Sequence, residues 1–228
     1  MGRTKGPQSV SAAAAQVLIV EDHELMRDGL RWLIKKESDL EICGEAVDEA
    51  SARQLIVKSM VDVAIVDLTL DGGSGLELIK WIAQHRPKTK TIVSTMHNEQ
   101  IYGPRALRAG ARGYVNKHDP AQTILIAIRR VLAGKMFFSE ELAERMMNVA
   151  AIQNGVPLSQ SPMDKLSNRE LQIFRRIGEG LTTDQIAHCL HLSANTISTY
   201  RERLKTKLDL KSAAELTHVA TLWVAEDS

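Results

Sequence analysis

Two stretches of sequence decide the fold: Val17-Leu18-Ile19-Val20, followed by Glu21 and Asp22, and Val63-Ala64-Ile65-Val66, followed by Asp67. Short apolar runs rich in β-branched residues are typical of strands that are buried on both faces of a parallel sheet. The carboxyl ends of parallel strands lie at the same edge of the sheet, and open α/β folds place their sites there. The sequence therefore predicts that these acidic side chains converge at one edge.

Acidic side chains gathered at one edge would repel each other unless a cation lay between them. A hard cation such as Mg²⁺, held by one or two carboxylates and by phosphate oxygens, fits such a site. Lys117 ends a further strand-like stretch, residues 113–116, and can reach the same edge as a phosphate partner. Either acidic cluster alone is equally well explained as residues that end a strand at a solvated loop, but the lysine favours the binding site.

Strand and helix patterns alternate over the first part of the chain. Helical spacing of apolar residues follows each strand-like run. Besides the two runs above, the predicted strands are 40–46, 91–95 and 113–116, and the predicted helices are 25–34, 50–57, 76–83, 104–109 and 120–132. Five strands alternating with five helices predict an α/β fold, a doubly wound, flavodoxin-like five-stranded parallel sheet, over residues 16–134.

Two prolines set the expected starts of the fourth and fifth helices. Proline inside a helix costs about 3 kcal/mol, so we expect the fourth helix to begin at Pro104 and residues 97–103 to form a mobile loop. Asp119 and Pro120 have the pattern of an N-cap followed by proline at the first helical position. The fifth helix is therefore predicted to begin at Pro120.

The segments outside this domain have different patterns. Residues 1–15 contain basic and small residues without an apolar run, so we interpret them as a disordered leader rather than a signal peptide. Residues 135–163 combine a helical stretch at 140–151 with a loop rich in turn-forming residues. Residues 164–228 lack strand patterns and predict an all-α domain with helices at 168–178, 183–190, 194–208 and 212–225.

Composition limits the classes of function. The 228-residue chain has a formal net charge of +1, so any contact with nucleic acid has to come from a local basic patch. No apolar stretch approaches the roughly 18 residues that span a bilayer. We therefore expect a cytoplasmic protein without a membrane partner.

The order of polar residues at the strand ends carries a resemblance to a known family. The pair at 21–22, Asp67, Thr95, Tyr114 and Lys117 stand in the order and at the strand positions of a CheY-like receiver domain from bacterial two-component response regulators. The resemblance implies that Asp67 is the phosphoacceptor. It also implies a switch formed by Lys117, which binds the phosphoryl oxygens, Thr95, which swings onto the new phosphate, and Tyr114, which follows.

The same resemblance implies a magnesium site. Its expected ligands are the carboxylates of Glu21, Asp22 and Asp67 and the backbone carbonyl of Thr69. One departure from the family pattern lies beside it, because the segment at 70–73 contains Asp71 where the family usually has proline. This extra carboxylate bears on metal affinity and on the lifetime of the phosphate.

Residues 164–228 resemble the LuxR-type helix-turn-helix of the NarL/FixJ subfamily. The motif is carried by residues 166–170, 180–187 and 192–200 and by Lys207-Leu208. Polar side chains near the start of the helix at 194–208, and a local basic stripe after them, are what DNA readout requires; a solvated helix face is the alternative. The expected DNA-binding residues are Asn195, Thr196, Ser198, Thr199, Arg201, Glu202 and Lys205.

Within that set, the family positions divide the contacts into two kinds. Ser198, Thr199 and Glu202 match base-contacting sites, and Glu202 either accepts from a cytosine amino group or pairs with a neighbouring arginine. The others match backbone-contacting sites. The last helix is expected to dimerise on DNA through Leu216, Val219, Ala220 and Trp223, although core packing explains part of that list equally well.

Together the resemblances imply a response regulator transcription factor. It would accept a phosphoryl group from a sensor histidine kinase and bind promoter DNA as a homodimer when phosphorylated or on DNA, with RNA polymerase as a candidate partner. It would not be an enzyme beyond self-phosphotransfer and autodephosphorylation.

Two alternatives come from other classes of function. One is an atypical regulator that binds DNA without phosphorylation, which Asp71 makes plausible. The other is a phosphohydrolase of the haloacid dehalogenase type, which also has an aspartate at a strand end. That family requires a second aspartate two residues after the nucleophile, whereas position 69 is threonine.

Overall fold

The computed structural model describes residues 13–71, 73–144 and 162–227. Its strands are β1 (Ala15–Val20), β2 (Leu40–Ala46), β3 (Val63–Val66), β4 (Thr69–Leu70), β5 (Gly73–Ser74), β6 (Lys90–Thr95) and β7 (Gly113–Asn116). Its helices are α1 (Glu24–Lys35), α2 (Glu49–Lys58), α3 (Gly75–His85), α4 (Glu99–Ala109), α5 (Thr123–Leu132), α6 (Asn168–Gly178), α7 (Thr183–Cys189), α8 (Ala194–Leu208) and α9 (Ala213–Asp227). Residues 140–144 are also helical.

Part of the expected leader and linker lies outside the described residues. The leader at 1–12 and the linker at 145–161, including most of the helix expected at 140–151, belong to those segments. The part of the linker that is described packs on the receiver: residues 135–144 include Leu142, which is 1% exposed. No helix in the described ranges is both long and apolar enough to cross a membrane.

The parallel sheet has the predicted doubly wound arrangement. Its strand order is β2-β1-β3-β6-β7, and every neighbouring pair is parallel. Because Val20 pairs with Val66, β1 and β3 end level with each other. The backbone N–H of Asp67 continues the ladder by donating to the carbonyl of Val20 at 3.0 Å. This register brings the carboxylates that follow the two strands to one edge.

Alternate residues of each strand fill two cores, one on each face of the sheet. Leu18 and Val66 belong to the core that includes α2, α3 and α4, whereas Ile19 and Ile65 belong to the core that includes α1 and α5. All four side chains are 1% exposed or less. Burial on both faces explains why these runs are continuously apolar.

The predicted start of α4 is wrong, because the helix begins at Glu99 and contains Pro104 in its interior. Asn98 caps the helix by accepting from the backbone N–H of Gln100 at 2.8 Å. Tertiary packing offsets the cost of the proline: Tyr102 is buried, and Leu142 lies so close to Gly103 that a Cβ there would come within 2.5 Å of its side chain. The segment expected to be a mobile loop is therefore mostly helix.

The predicted start of α5 is also wrong, by three residues. The helix begins at Thr123. Asp119 does not cap it; its carboxylate accepts from the backbone N–H of Asn116 at 3.0 Å, in the turn that follows β7. Pro120 belongs to the same turn, and its carbonyl accepts from the N–H of Thr123 at 2.8 Å. The Asp-Pro pair therefore stabilises a turn rather than the first turn of a helix.

The carboxy-terminal helices form one packed module. Ser167 and Thr182 cap α6 and α7 in capping boxes with Glu170 and Gln185. The helices α6 and α9 lie very close together, since a Cβ on Gly178 would come within 2.3 Å of the carbonyl oxygen of Ala220. The carboxy-terminal segment is therefore an all-α domain, as the sequence predicts.

Candidate phosphoacceptor site and DNA interface

Lys117 joins two buried carboxylates at the carboxyl edge of the sheet. Its Nζ lies 2.6 Å from Asp67 Oδ2 and 2.7 Å from Glu21 Oε2, and all three side chains are 6% exposed or less. The backbone N–H of Lys117 extends the ladder by donating to the carbonyl of Thr95 at 2.8 Å. The strand ends therefore bring these three predicted site residues into direct contact.

The remaining two predicted metal ligands lie next to this group. Asp22 is at the rim, with its side chain 21% exposed and Oδ1 2.9 Å from Nδ1 of His23. Thr69 donates its backbone N–H to Asp67 Oδ1 at 3.2 Å. Asp71 is exposed at the turn between β4 and β5. The extra carboxylate noted in the sequence is thus outside the buried group.

The charges of the buried group are unevenly balanced. Burial and the nearby charge of Asp67 raise the pKa of Glu21 above its usual value, and they outweigh the opposite effect of Lys117. Burial alone would lower the pKa of Lys117, but the two carboxylates together raise it. A single ammonium group thus faces two buried carboxylates, and the site retains an excess of negative charge.

The donor set fits Mg²⁺. Glu21, Asp22 and His23 each offer a ligand atom, and these atoms lie within 4.8 Å of one another. The carboxylate oxygens are of the type that Mg²⁺ prefers. Burial, and after it the charge of Asp67, raises the pKa of Glu21, and a bound cation would favour the charged carboxylate.

The two predicted switch residues of the strands are buried. Thr95 is 1% exposed at the end of β6, and Tyr114 is 4% exposed on β7. The Tyr114 hydroxyl donates to the backbone carbonyl of His97 at 2.9 Å. Tyr114 thus points inward and is tied to the segment that leads into α4.

His97 is a site residue that the sequence did not indicate. Its Nε2 lies 2.8 Å from the Thr69 hydroxyl, and its ring stacks on Tyr102 with centroids 4.5 Å apart. Burial, followed by the positive charges of Arg175, Arg176 and Lys117, lowers the pKa of His97 to about 3. A neutral, buried histidine therefore connects the loop after Asp67 to α4. No sequence signal pointed to it, because its partner Thr69 is 28 residues away in the chain.

The predicted DNA-reading face on α8 is accessible to solvent. Ser193 caps the helix by accepting from the N–H of Thr196 at 3.1 Å, and Ile197 and Leu204 anchor it in the core. Four of the seven predicted DNA-binding residues are exposed and three are half-buried; the exposed ones are Asn195, Ser198, Thr199 and Glu202, and the others are Thr196, Arg201 and Lys205. The predicted contact residues thus lie on one accessible helix.

Glu202 pairs with a basic neighbour in this structure. Its Oε2 lies 2.8 Å from Nζ of Lys205, and its side chain is 71% exposed. The sequence suggested a neighbouring arginine as the surface partner of Glu202, whereas the structure without DNA pairs it with a lysine. A surface pair of this kind is weak, so it leaves both side chains available to a duplex.

Two of the residues expected to dimerise α9 are core residues of the module. Leu216 and Ala220 have no exposed surface, while Val219 and Trp223 are half-buried. Trp223 contacts Phe174 of α6, with ring centroids 5.6 Å apart. Core packing therefore accounts for Leu216 and Ala220, and dimerisation through α9 stays a prediction.

Arg105 of α4 joins the two domains. It is 7% exposed and donates to the backbone carbonyls of Leu166 at 2.8 Å and Met163 at 2.5 Å. Gln172 of α6 donates to the carbonyl of Gly73 at 3.0 Å. The sequence indicated Arg105 only as part of a helix, because nothing local shows that its partners are about 60 residues away.

Comparison with known proteins agrees with this arrangement. Residues 17–129 match the family described as the response regulator receiver domain, and residues 164–220 match the bacterial regulatory proteins of the luxR family. Among curated relatives, the response regulator UvrY of Escherichia coli is 35% identical over 90% of this chain and 92% of its own. The oxygen regulatory protein NreC of Staphylococcus epidermidis is 32% identical over 90% of this chain and 96% of its own.

Among solved structures, RcsB of Salmonella enterica is 25% identical and covers 91% of this chain and 98% of its own, with a TM-score of 0.63. That structure holds RcsB bound to promoter rprA in the presence of the phosphomimetic BeF3⁻. The similarity to UvrY and NreC extends across both domains and the segment between them. The chain therefore belongs to the two-component response regulators of the NarL/FixJ type, with a receiver domain followed by a LuxR-type DNA-binding domain.

Proposed function

We propose that this protein is a transcription factor controlled by phosphorylation of Asp67, with a sensor histidine kinase as the donor. The contact that supports this most directly is the one between Asp67 and Lys117, 2.6 Å long and buried beside Glu21. An aspartate held this way at a sheet edge is positioned to receive a phosphoryl group. The haloacid dehalogenase alternative has no support, since the relatives of the chain are response regulators.

The transfer itself needs positioning and charge balance more than covalent machinery. A carboxylate oxygen of Asp67 attacks the phosphorus of a phosphohistidine, the P–N bond breaks, and the imidazole nitrogen leaves with the electron pair. Lys117 then binds the oxygens of the acyl phosphate through its ammonium group. When bound by Glu21, Asp22, Asp67 and the Thr69 carbonyl, Mg²⁺ would offset the negative charge that collects on these oxygens.

The signal would pass from the site to α4 through the two proposed switch residues. The phosphate adds about −1.5 to −2 charges, and Thr95 and Tyr114 respond to it. Tyr114 is bonded to the carbonyl of His97, directly before α4. Because α4 also carries Arg105, a shift of this helix would change how the DNA-binding module is held.

The module would act on promoter DNA in the cytoplasm. Ser198, Thr199 and Glu202 would read base edges, and the other predicted residues of α8 would bind the phosphate backbone. We propose that two copies bind two half-sites, as dimeric helix-turn-helix proteins do. RNA polymerase remains a candidate partner at the promoter.

Phosphorylation is tested with acetyl phosphate and Mg²⁺, followed by intact-mass measurement. We expect a single acid-labile phosphoryl adduct on the wild type and none on Asp67→Asn. The matched control is Asp71→Asn, which removes a neighbouring exposed carboxylate and should retain the adduct. If the wild type gains no adduct, the phosphorylation-independent regulator is the correct reading; repeated turnover of a generic phosphate ester would instead indicate an enzyme.

DNA recognition is tested by comparing two substitutions on α8. Protection of genomic fragments identifies the bound sites, and binding to them is then measured at several salt concentrations. Arg201→Ala should weaken all sites alike and reduce the salt slope by about one, whereas Thr199→Ala should change which sites are chosen. Identical effects of the two substitutions would contradict the division into backbone and base contacts.

A further inference from the structure

We propose that Arg27 is a positioning residue of the metal site, which holds the backbone of the loop after β1 so that Glu21 and Asp22 present their carboxylates together. The inference rests on the proposed function, because it takes the acidic cluster to be the Mg²⁺ site. It assigns a role to a residue that lies on α1 and contributes no ligand.

The geometry around Arg27 places one guanidinium on two successive carbonyls. Its Nη1 donates to the carbonyl oxygen of Glu21 at 2.8 Å and to that of Asp22 at 3.3 Å. The side chain is 15% exposed, and its Nε lies 3.7 Å from Glu45 Oε2. Arg27 thus reaches back from the first turns of α1 to the loop that precedes the helix.

The helix cap does not hold the loop before α1, so Arg27 holds it. His23 occupies the N-cap position of α1 but makes no side-chain capping bond, so the loop lacks the usual side chain that fixes a helix entry. Its ring lies against Asp22 instead. Two carbonyls that accept from one rigid planar group have their peptide planes fixed, and the side chains of residues 21 and 22 project from those planes.

This positioning matters because the two carboxylates must stay together against repulsion. Glu21 is already held by Lys117, but the described side-chain contact of the Asp22 carboxylate is with the exposed ring of His23. Residues that orient metal ligands from outside typically change metal affinity by roughly 10- to 100-fold when they are substituted. Arg27 orients Asp22 by binding the backbone carbonyl of Asp22.

Arg31 provides a matched control on the same helix. It binds the same Glu45, with Nε 2.6 Å from Oε1, and also pairs with Asp28, but its described contacts do not include the loop carbonyls. Arg27→Gln and Arg31→Gln therefore both weaken the network on Glu45, while only the first removes the clamp on the loop. Arg27→Lys retains the charge but loses the planar donor group.

The experiment measures metal affinity directly in the full chain. Mn²⁺ is used as a paramagnetic probe by electron paramagnetic resonance, and Mg²⁺ is titrated against it. We expect Arg27→Gln to weaken Mg²⁺ binding by roughly tenfold or more, Arg27→Lys to restore only part of the loss, and Arg31→Gln to stay within about twofold of the wild type. The rate at which acetyl phosphate phosphorylates Arg27→Gln should return towards the wild-type rate when Mg²⁺ is saturating.

Several results would overturn the proposal. Equal losses of affinity in Arg27→Gln and Arg31→Gln would show that the effect passes through Glu45. An unchanged affinity accompanied by a lower melting temperature would show that Arg27 only stabilises the fold. Failure of the proposed function is a separate observation: it appears as a wild type that binds the metal yet gains no phosphoryl adduct.

Discussion

The proposed phosphoacceptor site and the proposed DNA-reading face hold their charges in opposite ways. At the first, Lys117, Glu21 and Asp67 are 6% exposed or less, and the lysine contacts both carboxylates. At the second, Glu202 is 71% exposed and its pairing with Lys205 lies at the surface. When one partner of a buried ion pair is removed, the other is left as an unpaired charge in a low-dielectric environment. At the surface, water hydrates the remaining charge. The buried site should therefore depend steeply on single residues, and the reading face should depend on many small contacts.

The backbone beneath the phosphoacceptor site gives the largest expected effect. A Cβ added at Gly75 would lie 1.9 Å from the carbonyl oxygen of Asp67, and backbone cannot move away from it cheaply. We expect Gly75→Ala to destabilise the receiver by more than about 4 kcal/mol, or to prevent its folding. Expression, melting temperature and denaturant unfolding measure this.

The control for that substitution is a glycine with free space around it. Gly29 lies inside α1, and nothing is within 4 Å of a Cβ built there. Gly29→Ala should stabilise the protein by about 0.5 to 1 kcal/mol, because alanine favours helix. Similar losses for both substitutions would mean that the edge of the sheet is less tightly packed than its geometry indicates.

The next largest effect compares a lysine from each region. Lys117→Met leaves two buried carboxylates without their cation, which should lower the free energy of unfolding by roughly 3 kcal/mol in metal-free buffer. Lys205→Met breaks only the exposed pair with Glu202 and should change stability by less than about 0.5 kcal/mol. Denaturant unfolding of both variants tests the contrast; equal changes would remove the distinction drawn between the two regions.

The contact of Arg105 between the receiver and the DNA-binding module gives an intermediate effect. Arg105 donates to the carbonyl of Leu166 in the DNA-binding module and to that of Met163 at the end of the linker, and a hydrogen bond from a charged group contributes about 1.5 to 3 kcal/mol. Arg105→Ala should increase amide exchange at 162–168 and on α4, whereas Arg108→Ala, whose described bond is to Pro104 on its own helix, should not. Unchanged amide exchange in Arg105→Ala would show that this contact between the receiver and the DNA-binding module does not form in solution.

These expectations show which features the sequence could predict. The stretches at 17–20, 63–66 and 113–116 predicted the sheet and the meeting of Glu21, Asp67 and Lys117. A strand-like run is a local pattern, and the carboxyl ends of parallel strands lie at one edge of the sheet. The start of α4 could not be predicted in this way. Propensity disfavours Pro104, and the packing that offsets its cost involves Leu142, about 40 residues away.

The same limit applies to the residues that support the site. Arg27, His97 and Arg105 are ordinary in composition, and each acts through a backbone carbonyl or through a partner distant in sequence. A motif records the side chains that carry out chemistry, but a carbonyl acceptor has no residue identity. Such residues become visible only when the fold is known.

The smallest expected effect is a dependence of stability on pH at His97. The pKa of this histidine is about 3 in the folded protein, because the ring is buried and lies near Arg175, Arg176 and Lys117. In the unfolded chain this histidine has an ordinary pKa of about 6.5. Between about pH 6.5 and pH 3 the unfolded chain therefore binds a proton that the folded chain does not bind. Stability is therefore highest above about pH 6.5 and falls as the pH decreases towards 3.

Between pH 7.5 and pH 5.5 this uptake should remove roughly 1.3 kcal/mol from the free energy of unfolding. His97→Asn cannot take up the proton, so in metal-free buffer its stability should fall by about that much less over the same interval. Parallel pH profiles for the two proteins would mean that His97 is accessible to solvent, and that the connection between the loop after Asp67 and α4 is open rather than buried.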